Sequence, residues 1–86
     1  MKVQLRLFGA FRAYDSAALV ELDLADGARV NDLRAALAQH GQDRWQGFNP
    51  GLLRCSAFAD EQSVLHDSDP LPADGRVAVL PPVSGG

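Results

Sequence analysis

The residues most suited to chemistry are the last ones, Gly85 and Gly86, behind Leu80-Pro81-Pro82-Val83-Ser84. Neither glycine has a side chain, so a carboxylate on Gly86 can thread a channel too narrow for a Cβ and is open to attack. Glycine also reaches φ/ψ regions closed to other residues, so the tip can follow a path imposed by a partner. Pro81 and Pro82 act in the opposite sense. Each fixes φ at about −65° and lacks an N–H, which ends strand pairing and stiffens the exit from the fold. At about 3.3 Å per extended residue, residues 81–86 reach about 20 Å, enough to enter a partner's pocket. The pattern suits an arm that delivers a carboxylate. The plain alternative is a frayed end, where Gly and Ser mean only disorder. The apolar run Val77-Ala78-Val79-Leu80 weighs against it, because it starts the arm directly behind a core strand.

Other reactive side chains form no recognisable constellation: no catalytic triad, carboxylate pair or metal cluster is visible. Cys55, the single cysteine, lies among Leu52, Leu53, Ala57 and Phe58 and is expected to be a small buried hydrophobe. His40 falls on a helical apolar stripe and reads as a satisfied or helix-dipole histidine, not a metal ligand. His66 has no second ligand at useful spacing. Asp60, Glu61, Asp67 and Asp69 read as a solvated face, and Trp45 as a core plug beneath a loop. No G-x-x-x-x-G-K-[ST] pattern occurs, so any ATP would be held by a partner.

An arm needs a body to position it. Eighty-six residues with 47% hydrophobic content make one small domain with a modest core, expected over residues 1–80 with 81–86 as the tail. A net charge of −3 and a pI near 5.1 argue against nucleic acid. No apolar stretch approaches the roughly 20 residues that span a bilayer. The N-terminus lacks the apolar centre of a signal peptide, and one cysteine fits a reducing compartment, so a cytoplasmic location is expected. Lys2 is the only lysine beside seven arginines, so isopeptide chain-building on this protein has almost no acceptor side chains.

Val3, Leu5 and Leu7 alternate with Gln4, Arg6 and Phe8, which predicts a half-buried strand; Val20, Leu22 and Leu24 predict a second. Asp26-Gly27 is a turn signal. From Val30 the period changes, and Val30, Leu33, Leu37 and His40, with Ala36, share one helical face. Gly41 is placed to cap that helix, and residues 42–53 read as loop. Short strands are expected near 54–59 and 63–66, and Asp74-Gly75 turns into a last strand over 76–80. The order β-β-α-β-β-β predicts an α+β fold, the β-grasp or ubiquitin-like roll. Its mixed sheet of four to five strands packs on one main helix, the first and last strands are parallel neighbours at its centre, and a flexible Gly-Gly tail follows.

The ending Leu80-Pro81-Pro82-Val83-Ser84-Gly85-Gly86 resembles the P-P-V-x-G-G terminus of MoaD-type sulfur carriers, the small subunits of molybdopterin synthase. Asp69-Pro70-Leu71, Asp74-Gly75 and Val77-Ala78 follow the family order, as do Asp43-Arg44-Trp45 and the Phe8…Arg12 pair. Phe58-Ala59-Asp60-Glu61-Gln62 departs from it with a slightly longer turn. The resemblance implies that an E1-like (MoeB-type) adenylyltransferase uses Mg-ATP to form an acyl-adenylate on Gly86, which a sulfur donor converts to a thiocarboxylate. The tail then enters a large catalytic (MoaE-type) subunit and gives sulfur to a cyclic pyranopterin phosphate. The chain itself would bind no cofactor and would not be catalytic alone. Gly86 and Gly85 are the reacting end, and Pro81, Pro82, Val83 and Ser84 the arm.

The resemblance also implies docking through the sheet. By strand parity Phe8 and Leu80 face away from the core near the base of the tail, with Val64 joining them as an exposed apolar patch. The alternative is that the strand ends curl and bury them. Arg12 is either a contact to acidic groups of the activating enzyme or a solvated loop arginine. Three other readings stay open: a carrier for thiazole, cysteine or tRNA thiolation, a ubiquitin-like protein modifier joined through Gly86, and an interaction module with an inert tail.

Overall fold

A computed structural model describes residues 1–82. The alternation at the N-terminus becomes β1 (Lys2–Leu7), with Val3, Leu5 and Leu7 buried and Lys2, Gln4 and Arg6 exposed. A short 3-10 turn (Gly9–Ala13) leads to β2 (Leu19–Asp23). Helix α1 (Val30–Arg44) follows, then a one-turn helix α2 (Pro50–Arg54), β3 (Ala57–Ala59), β4 (Val64–Leu65) and β5 (Arg76–Leu80). The strands form one five-stranded sheet in the order β2-β1-β5-β3-β4. β1 and β5 are parallel at its centre, with Leu5 opposite Val77 and Leu7 opposite Val79; the other pairs are antiparallel. This is the mixed sheet and single main helix of the expected β-grasp roll.

One sheet face is covered. Val30, Leu33 and Leu37 of α1 are fully buried against it in a core with Val3, Leu5, Leu7, Val20, Phe58, Val77 and Val79. The start of α1 is fixed by Asp32, whose carboxylate accepts the Arg29 N–H at 2.8 Å. The second half of the helix differs from the sequence expectation. Gly41 does not cap it but lies inside it, buried, because the Phe48 ring rests on its Cα; a Cβ there would stand 2.8 Å from Phe48 Cδ1. The helix instead ends at Arg44, and the Trp45 N–H donates back to Gly41 O at 2.9 Å.

The expected loop over 42–53 is also corrected. Residues 42–44 complete α1, and Asn49-Pro50 opens α2, with Asn49 Oδ1 accepting the Gly51 N–H at 2.9 Å and Pro50 in the first turn. Asparagine as N-cap followed by proline at the first helical position starts a helix as readily as it makes a turn. Loop and helix are joined by aromatic packing. Tyr14 stacks on Trp45 at 4.9 Å, and the buried Trp45 meets Phe48 edge-on at 5.7 Å.

Candidate functional site: the open sheet face and the base of the arm

The site begins where β5 stops. Pairing ends at Leu80, opposite Ala57, and Pro81 follows at once, as a residue without an N–H requires. Pro81 is half-buried because its ring lies on Gly9, the first residue of the 3-10 turn, while Pro82 is exposed. The base of the arm therefore sits at the end of the central parallel pair. Val83 and Ser84 of the expected arm, and Gly85 and Gly86, its expected reacting end, lie outside the described residues.

Among the described residues, the sheet face opposite α1 bears no element. Its registers align one row across all five strands: Leu19, Arg6, Ala78, Ala59 and Val64. Residues paired across strands share a face, so small side chains floor the middle of this row and apolar ones stand at both ends. Two residues further along come Phe8, extended just past the end of β1, and Leu80, the last residue of β5, beside the arm. Phe8, Leu19 and Val64 are 40%, 42% and 58% exposed, so the strand ends have not curled to hide them, while Leu80 is half-buried. The row borders a groove of about 480 Å³ whose lining includes Gln4, Arg6, Phe8, Leu19, Asp60, Glu61 and Arg76. Exposed apolar side chains on an open face that also carries arginines and acids suit a protein partner better than a small molecule.

Leu19 is a member of this face that sequence reasoning missed. The second strand was expected to start at Val20, but the signal was present: Leu19 has the outward parity of Glu21 and Asp23, an apolar residue in a charged column. Arg12 is exposed at the end of the 3-10 turn, on the stretch of chain that also carries Phe8 and Gly9, and takes part in no ion pair among the described residues.

Trp45 is a core residue, with His40 edge-on to it at 5.4 Å. Cys55 is exposed, contrary to the expectation of burial. It sits at the C-cap of α2, where Leu53 and Ser56 turn inward and leave the residues between them outside. The Phe58–Gln62 departure is a tight hairpin turn. The Asp60 N–H donates to Ser63 O at 3.0 Å, and Asp60 Oδ1 accepts the N–H groups of Gln62 and Ser63, each at 2.8 Å. These backbone donors, Gln62 first, hold the Asp60 carboxyl below its ordinary range. Among the described residues no three His, Cys, Asp or Glu side chains gather into a metal site. No helix among them is long and apolar enough to cross a membrane.

Comparison with known proteins agrees with this geometry. The crystal structure of SAMP1 from Haloferax volcanii superposes with a TM-score of 0.70 over 100% of both chains at 20% identity, a likeness of fold. A structure described as a putative molybdopterin converting factor, subunit 1, from Pyrococcus furiosus superposes with a TM-score of 0.71 at 26% identity, covering 96% of this chain and 99% of the other. No curated protein sequence matches. The sequence profile of the ThiS family matches residues 5–86, nearly the whole length, and the chain belongs to that family of ubiquitin-like sulfur carriers.

Proposed function

We propose that this protein is the sulfur carrier of molybdopterin synthesis, acting through the carboxylate of Gly86. The observation that carries the reading is the placement of the arm. Pro81 leaves the end of the central strand pair beside the uncovered face bearing Phe8, Leu19 and Val64. A partner seated on that face would meet the tail entering its own active site. The similarity to the Pyrococcus furiosus chain supports the molybdopterin branch over other sulfur-transfer pathways.

In this reading an E1-like adenylyltransferase binds the open face and holds Mg-ATP. A Gly86 carboxylate oxygen attacks the α-phosphate and pyrophosphate leaves. Sulfur at the oxidation level of sulfide then adds to the acyl carbon and AMP departs, leaving a thiocarboxylate. The activating enzyme is released, and the same face docks on the large subunit of a molybdopterin synthase, where the sulfur passes to a cyclic pyranopterin phosphate. Phe8, Leu80 and Val64, joined by Leu19, form the docking patch, and Arg12 reaches acidic groups on the activating partner. Pro81, Pro82, Val83 and Ser84 carry the Gly85-Gly86 tip.

The test is the intact mass of the chain after incubation with an E1-like enzyme, Mg-ATP and sulfide. The expected result is the mass gain of one oxygen-to-sulfur exchange, placed on Gly86 by fragmentation. Binding of the charged chain to a molybdopterin synthase large subunit, but not to a thiazole-forming partner, then assigns the branch. No exchange with several competent activating enzymes overturns the reading. High-mass conjugates that disappear on deletion of Gly86 would instead identify a protein modifier.

A further inference from the structure

Gly9 stands where the chain meets itself. Its φ is +57°, in the left-handed region, and a Cβ built on it would lie 2.5 Å from Pro81 Cγ, 3.3 Å from Cδ and 3.8 Å from Cβ. Two separate demands therefore fall on one residue: a backbone conformation that side chains disfavour and a ring packed directly on the Cα. The support beneath Gly9 is firm. Phe11, two residues on, is fully buried, and Tyr14 at the end of the same turn stacks on Trp45 and accepts the Asn49 N–H at 3.2 Å. Pro81 is rigid in turn, since its ring fixes φ. A rigid ring on bare, anchored backbone gives a contact that has no side-chain rotamer to yield.

We infer that Gly9 is a positioning residue, the seat of the Pro81 ring, and that this contact sets the direction in which the arm leaves β5. Its consequence for activity rests on the carrier reading above; its geometry does not. A methyl group at position 9 must drive the ring outward and so shift the point from which the arm starts. Misplacing a reacting group by about 1 Å can cost about a hundredfold in rate.

The test uses the full chain in four forms: wild type, Gly9→Ala, Gly27→Ala and Gly9→Ala with Pro81→Ala. Gly27 is the matched control, with φ +83° and nothing within 4 Å of its would-be Cβ, so it carries the same kind of backbone strain without the clash. Replacing Pro81 by Ala removes Cγ and Cδ and leaves only the Cβ at 3.8 Å, ordinary van der Waals contact, so the double variant should relieve the effect. Two readouts are taken. With Cys55→Ser and a nitroxide on Ser84→Cys, amide line broadening maps the tip over the domain in the absence of any enzyme. The second readout is the rate of thiocarboxylate formation at saturating activating enzyme, with the dissociation constant measured alongside.

The broadening map should change in Gly9→Ala, stay as in wild type for Gly27→Ala, and return toward wild type in the double variant. The saturated rate should fall about tenfold or more in Gly9→Ala alone, with little change in dissociation constant. A Gly9→Ala map that superposes on wild type overturns the inference, whatever the enzyme does. So does a rate loss shared equally by Gly27→Ala, or one that the Pro81→Ala change does not relieve. If the wild type takes up no sulfur, the carrier reading falls and the broadening map alone decides on Gly9.

Discussion

Arg34 lies off the apolar stripe of α1, and from sequence it is one more polar residue on a helix surface. In the fold it is a tie between segments distant in the chain. Its Nη1 donates to Leu53 O at 2.7 Å and Ser56 O at 2.8 Å, and its Nη2 pairs with Asp67 at 2.8 Å. The guanidinium carbon rests 4.9 Å from the centre of the Phe58 ring. Arg34→Met keeps much of the packing and removes every donor. Hydrogen bonds to charged groups contribute about 1.5–3 kcal/mol, and the Asp67 carboxylate is exposed enough to be rehydrated, so a loss of about 2 kcal/mol is expected in urea unfolding. Arg12→Met, which removes no such bond, should leave stability unchanged in the same experiment. Nothing in the residue type separates the two arginines; only the fold brings carbonyls to one of them. Cys55 shows the converse, since its apolar neighbours in sequence suggested burial and the register of a one-turn helix left it outside.

Two elements separate what pattern predicts from what packing decides. In α1, glycine at position 41 carries the ordinary signal of a helix end, yet the helix passes through it because Phe48 needs the space. Gly41→Ala would gain about 1 kcal/mol of helix propensity. Against that stands a Cβ within 2.8–2.9 Å of three Phe48 ring atoms, and overpacking of this kind costs about 1–3 kcal/mol. The clash should win, lowering the melting temperature, and adding Phe48→Leu should recover part of the loss. In the β3–β4 hairpin, Asp60 holds the turn through its ionised carboxylate. Its pKa in the fold lies below its ordinary value, so the stabilisation is full above the ordinary carboxylate range and is lost as pH falls from that range through the lowered pKa. An NMR titration of the Asp60 carboxyl should show its midpoint displaced to lower pH. In Asp60→Asn the acid-side weakening of the hairpin, read by amide exchange at Val64 and Leu65, should be smaller. Strands β1 and β5, by contrast, follow their period-2 pattern closely, because burial on one face fixes the register of each.

At the scale of the whole molecule, the covered face stabilises, while the proposed docking residues lie on the face that no described element covers. Leu19→Asp changes a side chain that is 42% exposed on an edge strand, so the melting temperature should move little. On the proposed docking face the same change should weaken the activating partner by about 2 kcal/mol, roughly thirtyfold in dissociation constant. Calorimetry on the pair measures it, and unchanged affinity would remove Leu19 from the docking patch. Sequence alone determined the β-grasp order, the central parallel pair and the outward parity of Phe8. It also determined that prolines end β5, because period, turn residues and chain order are local properties that packing had no reason to overrule. Only the tertiary structure decided that Gly41 lies inside a helix, that Arg34 is a tie and that Cys55 is exposed. It alone assembled Leu19, Arg6, Ala78, Ala59 and Val64 into one row, and it alone seated Pro81 on Gly9. Each of these depends on which distant backbone or ring arrives beside a residue, and residue type and spacing do not encode that arrival.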